Sequence, residues 1–272
     1  IESGKNFKIY GFEKLINCNL FKNLTLGLDP KLFTNTQIKN YFLKYNKIKY
    51  IEKNLIDEIK KQKANIFAQF FSLDKSIVGE SVNSKLNKIT HYLKKNKSDY
   101  IFISAPENVA WTLNIRGSDG PNSPVPNSRL IVSKSKKILL ISNLKKCKKL
   151  LNNKIIKNNE LLDTNDLPKK ISKLRGKNFI IDDKSCSIFY ENLIKSKFKI
   201  IKREDPIYLL KAIKNKTEIK NMINAHIFDG VALTKFLYWI KKINKKKITE
   251  VKASEKLENF RKLNKNFLYP SF

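Results

Sequence analysis

Apolar side chains recur between about residues 80 and 205 at spacings that predict short strands alternating with amphipathic helices. The run at 81–96 has one apolar helical face, with Ser81 or Ser84 as its candidate N-cap. The alternation as a whole predicts a three-layer α/β domain. The predicted strands are YIFIS (100–104), RLIVS (129–133), KILLIS (137–142), NFIID (178–182) and FKIIKR (198–203), and the other predicted helices are 107–114, 165–175 and 185–197.

The residues before this domain predict the end of another α/β unit. A helix, a strand and a helical turn follow one another, and a polar run then interrupts the pattern. We therefore expect one unit at 1–75 and the α/β domain at 76–206. The predicted segments are the helix at 36–45, the strand at 48–52, the helical turn at 54–59 and the polar run at 60–65.

Beyond Pro206 the pattern is almost entirely helical. Residues 216–242 form one long apolar stripe that includes His226, and Thr249 is placed to cap a second helix. We interpret His226 as a core histidine rather than a metal ligand. With no strand after these helices, 207–272 reads as the start of a third domain.

The composition supports a globular protein with a strongly basic surface. The 272 residues are 41% hydrophobic, and the formal net charge is +32. Of the 56 basic residues only five are arginine, the residue that phosphate and base-edge recognition favours. The lysines are spread over the whole chain, so we expect a solvated surface and no nucleic-acid partner. Polyanion binding stays open as an alternative, which salt dependence would test.

Cysteines and histidines form no recognisable metal or disulfide pattern. Cys18, Cys147 and Cys186 are far apart, and His91 and His226 lie on different predicted helices. Reduced cysteines suit a cytoplasmic protein, and no apolar run approaches the ~20 residues of a membrane span. The pattern contains no catalytic triad and no phosphate-binding glycine loop.

The segment ENVAWTLNIRGSDGPNSPVPNS at 107–128 departs from the rest of the chain in its residue types. Its glycines permit positive φ and its prolines stiffen the loop that follows the short helix. Two roles are open for Arg116 and Asp119: they bridge each other to fix the turn, or Arg116 points outward as a fixed guanidinium for an anionic or carbonyl group. The glycines are Gly117 and Gly120, and the prolines are Pro121, Pro124 and Pro126.

WTLNIRGSD at 111–119 resembles the middle domain of three-domain aminopeptidase P, the Xaa-Pro aminopeptidases of the creatinase or pita-bread metallopeptidase class. The segment DPIYLLKAIKNKTEIKNMINAHIFDGVALTKFLYWI at 205–240 resembles the family's domain junction and its first catalytic-domain helix. The segment at 248–272 resembles the second of those helices. A larger residue would be usual at Gly120.

The resemblance implies a creatinase N-terminal-like fold with a mixed sheet, followed by the first helices of a truncated pita-bread domain. It implies a parent enzyme that removes the N-terminal residue from peptides with proline second. That enzyme would use two divalent metal ions, which we expect to be manganese. It would be a cytoplasmic homodimer. The family's metal ligands and catalytic residues fall beyond Phe272, so we expect none of them in this chain. We therefore expect the chain to be an inactive fragment. Arg116 and Asp119 are the hypothetical substrate-binding residues.

A second function remains open. The same fold occurs in non-catalytic relatives, and such a chain would act as a protein- or peptide-binding module. Presence of the metal ligands after Phe272 would favour the enzyme, and their loss would favour the module.

Overall fold

The computed structural model describes residues 14, 21–59, 68–120, 122–243 and 248–270, so the polar run at 60–65, Cys18 and Pro121 lie outside the described residues. The strands are β1 (Thr25–Leu28), β2 (Lys47–Tyr50), β3 (Phe71–Ser72), β4 (Tyr100–Ile103), β5 (Ile115–Arg116), β6 (Arg129–Ser133), β7 (Ile138–Ile141), β8 (Leu161–Leu162), β9 (Asn178–Ile181) and β10 (Lys199–Lys202). The helices are α1 (Asn35–Tyr41), α2 (Leu55–Ile59), α3 (Lys75–Val78), α4 (Val82–Lys95), α5 (Pro106–Leu113), α6 (Lys148–Asn152), α7 (Leu167–Lys173), α8 (Ile188–Lys195), α9 (Ile207–Ala212), α10 (Lys216–Lys242) and α11 (Glu250–Lys262).

Six strands form one mixed sheet in the order β10-β9-β4-β6-β7-β8. Strands β10, β9 and β4 run parallel, β4, β6 and β7 are antiparallel neighbours, and β8 is parallel to β7. The predicted strands at 129–133 and 137–142 form the antiparallel hairpin β6–β7, in which Leu130 lies opposite Leu140. The expected mixed α/β sheet is confirmed.

Helices cover both faces of this sheet, because alternate residues of a strand point to opposite sides. On one face Ile101 and Leu130 pack against α4, α5 and α6. On the other face Phe102 and Phe179 pack against α7 and α8. All four side chains are essentially inaccessible to solvent. The three-layer arrangement expected from the sequence is therefore confirmed.

The N-terminal unit contains the parallel pair β1–β2, joined by α1. Helix α1 begins with a capping box: the Thr34 hydroxyl accepts from the Gln37 amide, and the Gln37 side chain accepts from the Thr34 amide. The helix ends at Tyr41, earlier than predicted. The Asn46 side-chain amide donates to the Phe42 carbonyl and so satisfies an acceptor that a longer helix would have used.

The loop before α1 docks onto the start of α8. The backbone amide of Ile188 donates to the Phe33 carbonyl at 2.9 Å, and that of Phe189 donates to the Pro30 carbonyl at 3.0 Å. These amides belong to the first turn of α8, where a helix has no internal acceptor. The N-terminal unit thus supplies acceptors for the first amides of α8, which the side chain of the N-cap residue Ser187 does not cap.

The C-terminal helices are attached to the middle of the chain through α10. Asn215 caps α10 in a capping box with Glu218, and its side-chain amide also donates to the Val78 carbonyl at the end of α3. Helix α11 begins at the predicted cap Thr249. It packs along α10 and joins it through the Arg261–Asp229 ion pair.

One face of α10 carries exposed apolar side chains. The interpretation of His226 as a core histidine is wrong for the described residues: its ring is exposed, with Nδ1 2.8 Å from the Met222 carbonyl oxygen. The amphipathic stripe was read correctly, but α11 covers only part of it. The exposed apolar residues of α10 are Ile219, Met222, Ile223, Ile227, Phe228, Val231, Leu233, Leu237 and Tyr238.

A buried carboxylate pair closes the end of the α/β domain. Asp182 accepts from the Asp205 backbone amide, and Asp205 accepts from the Ile207 amide and from the Asn108 side chain at 2.7 Å. The Lys211 ammonium completes the chain of contacts by donating to Asn108. Burial is the main reason that the pKa of Asp205 is raised to about 6. Asp182 therefore has a structural role, since its carboxylate accepts from the Lys184 and Asp205 backbone amides.

The loop after β5 lies against the fully buried ring of Phe70, whose amide donates to the Lys146 carbonyl. Neither Gly117 nor Gly120 adopts the positive φ that the sequence suggested. A Cβ on Gly117 would lie 2.9 Å from Phe70 ring carbons and from the Pro126 Cα. Gly117 is thus needed for close packing. At Gly120 the nearest atom would be 3.9 Å away, so a larger residue fits there.

Replacing Gly117 should test this packing. We expect Gly117→Ala to lower the free energy of unfolding by about 1–3 kcal/mol, because the new methyl overlaps a buried ring and backbone. Gly120→Ala is the matched control and should stay within about 0.5 kcal/mol of the original chain. Urea unfolding followed by tryptophan fluorescence measures both. Equal effects of the two substitutions would contradict the packing role.

The buried Asp205 should make stability depend on pH. Its folded pKa of about 6 lies above the unfolded value of 3.8, so the stability it contributes is full below the unfolded pKa and is lost as pH rises through 6. An asparagine side chain does not titrate, so the free energy of unfolding of Asp205→Asn, measured relative to that of the original chain, should increase by about 1 kcal/mol from pH 5 to pH 8. Denaturant unfolding at both pH values measures this, with the exposed Asp57→Asn as the charge control. A difference that does not change with pH would refute the assignment.

Candidate functional site

The sequence-predicted residue Arg116 is positioned by the end of α5. Pro106 occupies the first turn of that helix, and Asn114 ends it in the left-handed conformation at φ 53°. Short side chains such as asparagine tolerate this conformation better than bulky ones. The reversal sends the chain into β5, which pairs antiparallel with β3 and places Arg116 opposite Phe71.

The Arg116 guanidinium is half-buried and held by backbone carbonyls. Its Nη1 donates to the Ile115 oxygen at 2.8 Å and to the Ala110 oxygen at 3.3 Å. Burial lowers the pKa of Arg116, and the charges of Tyr269 and Glu218 oppose that effect. No hydrogen-bond partner of Nε or Nη2 occurs among the described residues.

Asp119 holds the loop together rather than pairing with Arg116. One carboxylate oxygen accepts from the Asn127 backbone amide at 2.7 Å, and the other accepts from the Lys146 ammonium. The bridge that the sequence allowed between the two side chains is not formed. Asp119 instead ties the loop after β5 to the segment between β7 and α6.

Next to Arg116 lies a buried lysine that sequence reasoning missed. Lys85 is only 1% exposed, and its Nζ donates to the Trp111 carbonyl at 2.8 Å and to Asn114 Oδ1 at 2.6 Å. The ammonium also lies 4.0 Å from the centroid of a Trp111 ring, a cation–π contact. Burial is the main reason that the pKa of Lys85 is lowered to about 8, and Glu80 and Glu218 partly oppose it.

Glu80 anchors the other side of Asn114. The Asn114 side-chain amide donates to the Glu80 carbonyl at 2.9 Å, and the Glu80 carboxylate accepts from Ser84 and from Lys88. The negative charge of Glu80 raises the pKa of Lys85 more than that of Glu218 does, against the effect of burial. The site is therefore a rigid group of one buried ammonium, one half-buried guanidinium and their fixed acceptors.

The sequence did contain a signal for Lys85. It lies four residues before Ile89 and eight before Leu93, on the helical face that packs against the sheet. A lysine at such a position must find acceptors within the protein. The signal was hidden because most of the other lysines stand at solvent-exposed positions.

Metal ligands and reactive thiols do not converge in the part of the chain that the structure describes. No group of three or more His, Cys, Asp or Glu side chains there is placed to hold a metal ion. Asp182 and Asp205 are already occupied by backbone amides. Burial raises the pKa of Cys147 to about 11 and raises that of Cys186, so neither is an activated nucleophile.

The described helices also bear on membrane insertion. None of them combines the length and the apolar character that crossing a bilayer requires.

Comparison with known proteins identifies relatives over most of the chain. The sequence is 33% identical over 286 residues to Xaa-Pro aminopeptidase 1 of Dictyostelium discoideum and 30% identical over 268 residues to Xaa-Pro aminopeptidase ApepP of Drosophila melanogaster. Each alignment covers 93% of this chain and 43% of the relative. The chain thus spans less than half the length of these proteins.

The fold has a solved counterpart. The X-prolyl aminopeptidase of Caenorhabditis elegans, described as a cytosolic enzyme with a di-nuclear active site, superimposes with a TM-score of 0.79 at 22% identity. The match covers 99% of this chain and 46% of that protein.

The sequence model of the creatinase/prolidase N-terminal domain matches residues 36–218, more than half of the chain. The resemblance to aminopeptidase P read from the sequence is confirmed by this match and by the named relatives. The chain belongs to the creatinase/prolidase N-terminal domain family.

Proposed function

We propose that this chain is part of a metal-dependent aminopeptidase that releases the N-terminal residue from peptides with proline in second position. The observation that carries the proposal is the alignment of 93% of the chain with Xaa-Pro aminopeptidases at 30–33% identity. The proposal extends to two divalent metal ions, manganese in this case, a homodimer and a cytoplasmic location. The di-nuclear, cytosolic description of the Caenorhabditis elegans protein supports the metal count and the location.

The described carboxylates do not fit a pair of metal ions. Two divalent ions held close together require several carboxylates converging on one place. The acidic pairs in this chain stand in separate elements and include Asp57 with Glu58 in α2 and Asp182 with Asp183 after β9. We therefore assign the metal ions and the bond-breaking step to residues outside the part of the chain that the structure describes.

The role proposed for this chain is to bind and orient the peptide. Tyr269, near the C-terminal end of the described chain, lies close enough to Arg116 to raise its pKa against the effect of burial, and Nε and Nη2 of Arg116 have no partner among the described residues. A planar guanidinium in a fixed position suits a carbonyl or carboxylate of a peptide. Asp119 holds the loop in place through Lys146 and Asn127. Arg116 is thus the proposed substrate contact and Asp119 its positioning residue.

The domain division is also a proposal: an N-terminal unit at 1–75, the α/β domain at 76–206 and the start of a pita-bread domain at 207–272. The Asn215 and Asp205 contacts support a junction near residue 206, since both lie where the sheet domain meets the helices. Residues 68–72 pack with the α/β domain through Phe70 and β3.

The first prediction of this proposal concerns metal binding. Purified 1–272, stripped with EDTA and supplied with manganese, should bind it no more tightly than millimolar and cleave no Xaa-Pro peptide. Scattered carboxylates and a net charge of +32 both disfavour a dication site. Calorimetry and a proline-peptide hydrolysis assay measure the two properties. Stoichiometric micromolar binding would place an active site within this chain.

The second prediction concerns Arg116 in the complete protein. Arg116→Ala should lower kcat/KM for Xaa-Pro peptides about tenfold or more, because a charge-assisted hydrogen bond to substrate is lost. The melting temperature should change little. Arg116→Lys keeps the positive charge but lacks the planar guanidinium, so its kcat/KM should lie between those of Arg116→Ala and the original protein. Arg175→Ala, at an exposed arginine elsewhere, is the control.

Two outcomes would contradict this role. If Arg116→Ala melts the α/β domain and leaves the kinetics of the folded fraction unchanged, Arg116 is structural. If the complete protein cleaves no proline peptide with any divalent metal, the non-catalytic binding module is the better assignment.

A further inference from the structure

A polar cavity of about 190 Å³ lies at one end of the interior strands of the six-stranded sheet, where β4 and β9 end and β6 begins. Its walls come from the loop and first turn of α1, from the segment between β9 and α8, and from Arg129 at the start of β6. The lining includes Lys31, Arg129 and Lys184 and, among the described residues, no carboxylate. The cavity is distinct from the Arg116 site, which lies beside β3 and β5.

Ser187 is the strongest sign that this cavity is built for a ligand. It lines the cavity, it is only 8% exposed, and its hydroxyl has no hydrogen-bond partner among the described residues. Ser187 occupies the N-cap of α8 but its side chain does not cap the helix, whose first amides are bonded to Pro30 and Phe33. A buried hydroxyl without a partner is costly, so an acceptor brought by a ligand would relieve it.

Arg129 supplies a fixed cationic fork to the same cavity. Its Nη1 donates to Asn127 Oδ1 at 2.6 Å and weakly to the Ser128 carbonyl at 3.4 Å, and its guanidinium lies 5.8 Å from the Tyr190 ring. These contacts fix the group and leave Nε and Nη2 without partners among the described residues. Such a fork matches the oxygens of a phosphate or carboxylate.

Further donors converge from the other walls. Ser104 and Ser185 line the cavity and share one hydrogen bond at 2.7 Å, and the Ser185 hydroxyl also interacts with the Tyr208 side chain. The Gln37 side chain uses its oxygen in the α1 capping box, which leaves its NH₂ group for the cavity. The volume is well above the ~10–15 Å³ that a single water needs, so a phosphate-sized group fits.

We propose that this cavity binds a small phosphate group, held by Arg129, Ser187 and Gln37. Donors reach it from three sides, and three lining cations with no lining carboxylate suit a dianion better than a monovalent carboxylate. Because Gln37 belongs to the N-terminal unit and Arg129 to the α/β domain, bound phosphate links the two. This assignment is independent of the peptidase proposal.

Titration of the ¹⁵N-labelled chain with inorganic phosphate at constant ionic strength tests the site. We expect saturable shifts of the Ser187 and Gln37 amide signals. Arg129→Gln should weaken binding about tenfold or more, since a charge-assisted bidentate contact is lost. Ser187→Ala should also weaken it without loss of folding, because its hydroxyl bonds to nothing in the described protein. Arg175→Gln removes one exposed arginine elsewhere and should leave affinity unchanged.

The proposal fails if the shifts do not saturate, or if Arg129→Gln and Arg175→Gln bind phosphate equally, since general surface charge then explains the binding. It also fails if acetate binds as tightly as phosphate, which would make the cavity a carboxylate site. Should Arg129→Gln unfold, the comparison of Ser187→Ala with the original chain decides the outcome.

Discussion

The burial of the Lys85 ammonium is the constraint on which the candidate site depends. A cation removed from water is tolerated only where acceptors are fixed around it. Here the acceptors are the Trp111 carbonyl and the Asn114 side chain, both at the end of α5. Asn114 can point its oxygen at Lys85 because its NH₂ group is held by the Glu80 carbonyl. The same residue takes the left-handed conformation that turns the chain toward Arg116.

The position of Arg116 follows from this arrangement in a second step. Once α5 ends at Asn114, β5 has only two residues in which to pair with β3, and the loop beyond it must cross the Phe70 ring. Gly117 permits that crossing, and Asp119 closes the loop from its far side. A change at Lys85 would therefore reach Arg116 through backbone geometry, in addition to the repulsion between the two charges that lowers the pKa of Lys85.

Sequence periodicity was sufficient for the sheet domain and insufficient for contacts between distant segments. Short continuous apolar runs predicted strands such as β4 and β6, because both faces of the sheet are buried. Caps at Ser81 and Thr249 were predictable because capping is local. The β3–β5 pair was not, since each strand has two residues and Phe70 fixes the pairing through distant neighbours. The exposure of His226 depends on what covers α10, which an amphipathic stripe does not reveal.

Three of the hydrogen bonds between the parts of the chain join a neutral donor to a backbone carbonyl. Pro30 and Phe33 accept from α8 amides, and Val78 accepts from the Asn215 side chain. Contacts of this kind do not depend on the net charge of +32, because neither partner is ionised. Additional lysines on the exposed surface therefore do not weaken these hydrogen bonds between the parts of the chain. Cationic side chains matter structurally where burial or fixed acceptors confine them, and among the described residues Lys85, Arg116 and Arg129 combine such confinement with a place in a candidate site.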